Sequence, residues 1–406
     1  MRPPSSPRDL RILRAILGAY LAAAVVIAVQ RTILSRENNF YIFRAAWAHL
    51  RSGADLYAAY PQLHSDYFKY SPTFAFLFAP FAVLPPTAGY ALWAAVSAFA
   101  VWYGVTQVLP PRAAIVALAI AALGVVGDLQ RAQSNTVVTG LMILSWAWLE
   151  RDRQVSAATA VAAGAFVKLF PLAAGMGALL HRRWLRFCLI LVVVIVVGAA
   201  LPLVATSAEA LRHQYASWYA IESADAVPQG RYGTAAAGLY AGLMGLVRAW
   251  FGVDWPHWPM QLAGLAILLL PLVHRARYAE RAFRVQLLGS LLVFCVLFNH
   301  QAESPSYSIA MTGASLWFAA AAPARWRTAL VVACYAMVNL GSTDLMPKAL
   351  AQAYYVPYML KTVMLVPLWI VMQLELHGVI ANPGASELAE MDEPDVGRAE
   401  TVAHGG

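Results

Sequence analysis

Charge is scarce in this chain. Asp, Glu, Lys and Arg make up 12% of its 406 residues, where a soluble globular domain carries about 25%. With 60% hydrophobic residues and a mean hydropathy of +0.59, the chain has more apolar surface than a water-soluble fold of this length can hide. That excludes a soluble enzyme and a nucleic-acid-binding domain. Cysteine is scarcer still. Cys188, Cys295 and Cys334 all stand in apolar runs, at spacings that fit no metal motif and demand no disulfide. Internal repeats are missing, and so is any polar α/β stretch long enough to hold a nucleotide-sugar domain. The short alternating segments that build a membrane barrel are missing too.

What is present is one apolar run after another between residues 13 and 380. A bilayer accepts such runs when the backbone is helical, because each N–H and C=O is then satisfied within its own segment. The expected fold is an all-α polytopic membrane protein of about 11–13 transmembrane helices, several of them short of the ~20 residues of a full crossing and so tilted, broken or re-entrant. Residues 1–12, with Arg2, Arg8 and Arg11, read as a cytoplasmic N-terminus ahead of a retained first helix. Residues 381–406, with Glu387, Glu390, Asp392, Glu393 and Asp395 against Arg398, read as a disordered acidic tail.

The net charge of +8 is spread in short basic clusters between the apolar runs, the pattern of loops beside anionic lipid in a cell's inner membrane. Glu150–Arg153, His181–Arg186 and His274–Arg284 read as cytoplasmic. Two cytoplasmic ends cannot flank one crossing. Residues 155–180 are therefore expected to form a hairpin, broken by Pro171, that carries Lys168 to the far surface.

Two long polar segments remain, 33–71 and 207–233. In the first, Phe40, Phe43, Trp47 and Leu50 recur at helical spacing, which predicts an amphipathic interfacial helix ended by Ser52-Gly53. In the second, Leu211, Tyr215, Trp218 and Tyr219 follow a helical repeat. Ionisable groups at membrane spans are costly and point to function. The carboxylates Glu37, Asp55, Asp66 and Glu303 are candidate general bases. The cations Lys69, Lys168 and Arg231 suit a phosphate, and Lys69 precedes a helix start at Pro72 whose free N–H groups would favour an anion. Asn38, Tyr57, Gln133, Asn135 and His300 are candidates for hydrogen bonds to a sugar or an acceptor, with Ser134 set to cap the helix that follows. His300 and Glu303, three residues apart, would share a helical face. The HQAE they belong to is not the HExxH of a zinc site, and nothing else calls for a metal or another cofactor.

Several of these residues carry a resemblance. Asn39-Phe40, Ala45-Ala46, Gly53-Ala54-Asp55-Leu56-Tyr57 and Phe68-Lys69-Tyr70-Ser71-Pro72, followed by Pro80 and Leu84-Pro85, resemble the N-terminal signature of glycosyltransferase family 87. Gln133-x-Asn135, Lys168 with Pro171 and AESPSY at 302–307 are similar further along. The resemblance implies a multi-helix hexosyltransferase of the GT-C class. It would move a sugar, mannose by family default, from a polyprenyl-phosphate donor to a lipid or glycan acceptor at the non-cytoplasmic face. Its partners would be donor, acceptor and membrane lipids. The family's catalytic base is an Asp just before the Phe, and here that catalytic position is Asn39. An amide takes no proton, so Glu37, Asp55, Asp66 or Glu303 serves as base, or the acceptor differs, or transfer is lost. A flippase for lipid-linked sugar and a non-catalytic envelope assembly protein are the rival readings. Convergence of the ionisable residues on one cavity favours the enzyme.

Overall fold

A computed structural model describes residues 6–35, 38–225, 242–253, 255–342 and 346–381, together with Leu388. Glu37, Arg231 and nearly all of the acidic tail lie outside the described residues. Every regular element among the described residues is helical.

Four helices are long and apolar enough to cross a bilayer: Pro7–Ile33, Pro86–Val108, Pro111–Leu129 and Trp184–Val204. Lys348–Tyr355 and Leu360–Leu376 form a further pair, bent by 57°. Shorter apolar helices, among them Asn135–Leu149 and Gln154–Val167, fill the bundle between them. The protein is an all-α polytopic membrane protein. Its helices approach closely where small residues meet. A Cβ at Gly140 would lie 2.4 Å from the backbone of Ala100. Gly289 and Gly313 face each other across the crossing of Arg281–Leu297 and Tyr307–Ala319. With no hydrophobic force between helices in lipid, such close backbone packing is what holds them together.

The apolar run at 72–86 is not a span. It breaks into the short helices Pro72–Leu77 and Ala79–Ala82, because Pro80 and Pro85 each remove a backbone donor and cannot continue a helix. These pieces lie against the helix Asn38–Ser52, whose Phe43 ring packs edge-on to Phe74 and Phe78 at 5.1 and 5.3 Å. That helix buries Phe40, Ile42, Phe43, Ala46 and Leu50. It ends at Gly53, whose φ of 73° lets Ala54 N–H donate to the carbonyl of His49 at 3.0 Å.

The basic clusters gather at one end of the bundle. Glu150 pairs with Arg281 at 3.4 Å and with Arg284 at 3.0 Å, and Asp152 pairs with Arg183 at 2.7 Å. At the same end Glu375 is enclosed, with its side chain fully buried. Arg327 Nη2 donates to one oxygen at 2.5 Å and Trp317 Nε1 to the other at 2.7 Å. Residues 154–180 double back. The helix Gln154–Val167 ends at Lys168, which is extended at φ −144° and ψ 144°, and the 3-10 helix Phe170–Leu180 returns to His181. The turn is at Lys168 itself. Pro171 sits in the first turn of the returning helix, where its missing N–H costs nothing.

Candidate active site

The end of the bundle remote from the basic clusters is built around a buried carboxylate. Asp128, in the last turn of Pro111–Leu129, is 1% exposed. It accepts from Asn135 Nδ2 at 2.9 Å, from Thr136 N–H at 2.7 Å and from Thr136 Oγ1 at 2.6 Å. The helix Asn135–Leu149 is thus capped by the preceding helix. Ser134 makes no capping bond because its backbone is already helical, at φ −92° and ψ −4°. With Nδ2 committed to Asp128, Asn135 turns Oδ1 to Lys168, whose Nζ donates to it at 2.6 Å. Asn135, expected to hold a sugar, instead aims the lysine.

Lys168 lines a cavity of about 540 Å³. Six other predicted residues line it too: Asn39, Asp66, Lys69, Gln133, His300 and Glu303. Glu303 and then Asp128 are the negative charges that act most strongly on Lys168. Asn39 is held by its amide, with Nδ2 donating to the carbonyl of Arg131 at 2.8 Å. Asp66 lies on the loop before Lys69 and accepts from the N–H of Tyr67 at 2.7 Å. His300 follows the helix Arg281–Leu297 in a turn, so it does not share a helical face with Glu303. Its Nδ1 lies 3.3 Å from Gln261 Nε2. Another part of the wall is apolar, with Leu262, Leu265, Phe294 and Phe298 beside Phe170.

Three candidates fold the loop instead of facing the cavity. Asp55 Oδ1 accepts from the N–H of Tyr57 at 3.0 Å and closes a turn. Tyr57 donates its hydroxyl to the carbonyl of Tyr70 at 2.8 Å. Burial, reinforced by the nearby Tyr215, Glu222 and Asp55, pushes that phenol far above its usual range, so it stays a donor. Asn38 Oδ1 accepts from Ser65 N–H at 3.0 Å. The helix start at Pro72 is also closed. Ser71 Oγ takes the N–H of Phe74 at 3.1 Å, and the helix has only six residues. Lys69 reaches the cavity without a helix terminus to assist it.

Sequence reasoning missed Trp218 and Glu222, which the helix Ala208–Asp225 brings to the cavity, and Gln261, Asn299 and Gln301. Extending the repeat at 211, 215 and 218 by one turn reaches Glu222. Among the described residues no three His, Cys, Asp or Glu side chains gather to hold a metal ion.

The sequence profile of glycosyltransferase family 87 matches residues 68–298, more than half of the chain. The chain belongs to glycosyltransferase family 87. The match opens on Phe68-Lys69-Tyr70-Ser71-Pro72 and contains Gln133, Lys168 and Glu222, while Asn39 and Glu303 fall outside it. As a member of this family the protein is a glycosyltransferase of the GT-C class. No curated protein matches the chain. Among solved structures, ArnT from Cupriavidus metallidurans bound to undecaprenyl phosphate is 13% identical with a TM-score of 0.41, covering 89% of this chain and 77% of that one. Its apo state gives 13%, 0.41, 88% and 76%. The Archaeoglobus fulgidus oligosaccharyltransferase in the apo form is 14% identical with a TM-score of 0.37, and this chain spans 56% of its length.

Proposed function

We propose that this family 87 enzyme transfers a sugar, mannose as the first to test, from a polyprenyl-phosphate donor to a lipid or glycan acceptor. The reaction is placed at the non-cytoplasmic face of the cell's inner membrane. The supporting observation is that Lys168, Lys69, Asp66 and Glu303 line one cavity together with an apolar wall. A lipid-phosphate sugar needs all three chemistries at once. Its chain lies along Leu262, Leu265, Phe294 and Phe298. Its phosphate is held by Lys168, with Lys69 as the second cation. Its sugar projects toward the carboxylates.

Transfer then runs as an inverting displacement. Glu303 takes the proton of the acceptor hydroxyl, the acceptor oxygen forms a bond to the anomeric carbon, and the bond from that carbon to the phosphate oxygen breaks. Polyprenyl phosphate leaves with the bond's electron pair, and its extra negative charge falls on Lys168, where a preorganised cation is most effective. Asp66 is the second candidate base, although one of its oxygens already accepts from Tyr67.

The test is incubation of the purified protein in lipid nanodiscs with polyprenyl-phosphate mannose, reading released polyprenyl phosphate. Because release requires a broken covalent bond, it separates transfer from flipping. Lys168→Ala is expected to lower release at least tenfold, and Glu303→Gln to lower kcat by about 10²–10⁴. Full activity in Lys168→Ala would remove the lysine from the donor site. Full activity in both Glu303→Gln and Asp66→Asn would end the general-base assignment.

A further inference from the structure

A second group of cations lies near the cavity without lining it. Arg131, Ser304 and Lys361 are absent from its wall, whereas their sequence neighbours Gln133, Glu303 and Ser306 belong to it. Packing brings the three together. The helix Pro111–Leu129 crosses the start of Tyr307–Ala319 so closely that a Cβ at Gly124 would lie 3.3 Å from Ser308 Cα. One turn nearer the cavity end, the first helix reaches Gly127, whose carbonyl accepts from Arg131 Nη1 at 3.0 Å, and the second chain segment reaches Ser304. Ser304 Oγ accepts in turn from Lys361 Nζ at 2.5 Å. Arg131 is the charge that acts most strongly on Lys361, and it repels.

Lys361 is 8% exposed, and the chain is built to hold it there. It follows the 57° bend before Leu360–Leu376, where Met359 is left-handed at φ 52°, a conformation that costs any residue with a Cβ. Thr362 Oγ1 lies 2.6 Å from the hydroxyl of the buried Tyr307, which fixes the rotation of the helix, and the Lys361 ammonium stands 5.2 Å from the centre of the Tyr307 ring. Among the described residues only the oxygen of Ser304 accepts from this ammonium, which has three N–H groups to give. Ser304 spends a lone pair on the lysine, so its own hydrogen remains to donate. Arg131 is exposed and commits one N–H to Gly127. Among the described residues no carboxylate pairs with either cation. Glu303, the carboxylate next to Ser304, lines the cavity and acts on Lys168. Two positive charges held together in this way, one of them buried, are costly until an anion neutralises them. An ammonium, a guanidinium fork and a hydroxyl together match the oxygens of a phosphate. We propose that Arg131, Ser304 and Lys361 form a binding site for a phosphate group outside the donor cavity. A phospholipid headgroup and free phosphate share the chemistry that is recognised.

Amide hydrogen exchange of the full chain in dodecyl maltoside tests the site at residues 127–132 and 303–308. The probes are inorganic phosphate, with chloride of equal ionic strength as its control, and dioleoylphosphatidylglycerol, with dioleoylglycerol as its control. At least one phosphate probe is expected to slow exchange in both segments at least threefold, and neither control to do so. Slowing by phosphatidylglycerol alone assigns the site to a lipid headgroup. Slowing by inorganic phosphate, alone or as well, assigns it to the bare phosphate group. In Arg131→Gln and Lys361→Met the concentration needed for half of the effect rises at least tenfold. In Lys168→Ala, which removes the cation of the donor cavity, it stays within twofold. If Lys361→Met does not fold, Arg131→Gln, at an exposed position, decides alone. No slowing by either phosphate probe, equal slowing by the matched control, or an unchanged concentration in Arg131→Gln would each overturn the site. An equal rise in Lys168→Ala would overturn it too, because both segments would then be reporting on the donor cavity.

Discussion

Position 39 carries an amide because of what it touches. Asn39 Nδ2 donates to the carbonyl of Arg131 at 2.8 Å, and a carboxylate there would set two acceptors face to face. Asn39→Asp is expected to lower the Tm of the purified protein by several degrees, for a loss of about 1–3 kcal/mol, and to leave the release of polyprenyl phosphate no faster. Faster release would mean that the base belongs at 39 and that the amide has crippled it. The same reasoning explains which residues were legible in the sequence. Lys168 was, because a lone cation between apolar neighbours has few purely structural uses in a membrane. Asp55, Tyr57 and Asn38 were not separable from catalytic candidates. The Asp55 oxygen that would take a proton from a substrate is the same oxygen that closes a turn on Tyr57 N–H, and the Asn38 oxygen that would accept from a sugar hydroxyl is the one that accepts from Ser65 N–H. Asn135 was placed near the chemistry, but its role depends on Asp128 taking its Nδ2, a bond between two helices that no local pattern announces. Asn135→Ala removes the acceptor that aims Lys168 and is expected to raise donor KM about tenfold, read in the same release assay.

At the scale of elements, amphipathic spacing sufficed for the first helix of the polar segment 33–71, expected from Asn39 to Leu50 and found as Asn38–Ser52. The apolar run at 72–86, too short for a full crossing, is broken as such runs were expected to be; its hydrophobicity reports burial and the prolines decide the geometry. The second polar segment was legible as a helix but not as a wall of the cavity, because its placement depends on one glutamine reaching the backbone of Ala54 and Leu56. Gln214→Leu removes both bonds while keeping most of the bulk, and leaves a backbone donor and acceptor unpaired at about 1–3 kcal/mol each. The expected result is faster amide hydrogen exchange at residues 54–57 and 208–222, with the rest of the bundle unchanged. Exchange that stays at the wild-type rate would show that Tyr215 and its neighbours dock the helix without the clamp.

For the whole molecule, the two ends differ in chemistry. One collects the arginines around Glu150, Asp152 and Glu375, and the other holds the cavity. The hairpin at Lys168 joins them, and its returning 3-10 helix Phe170–Leu180 rises only about 22 Å at ~2.0 Å per residue, short of a ~30 Å hydrocarbon core. Arginine-rich loops stay in the cytoplasm, and the proposed transfer requires the cavity to open to the other side. Single cysteines test this in a protein whose Cys188, exposed, and Cys295 and Cys334, buried, are replaced by alanine. Leu169→Cys sits beside Lys168 at a position 49% exposed, and Arg183→Cys sits at the opposite end of the returning helix. An impermeant maleimide added to spheroplasts is expected to label residue 169 in intact cells and residue 183 only after lysis. The reverse pattern would put the cavity in the cytoplasm, where nucleotide sugars are made. A polyprenyl-phosphate donor at the outer face would then have no site in this protein.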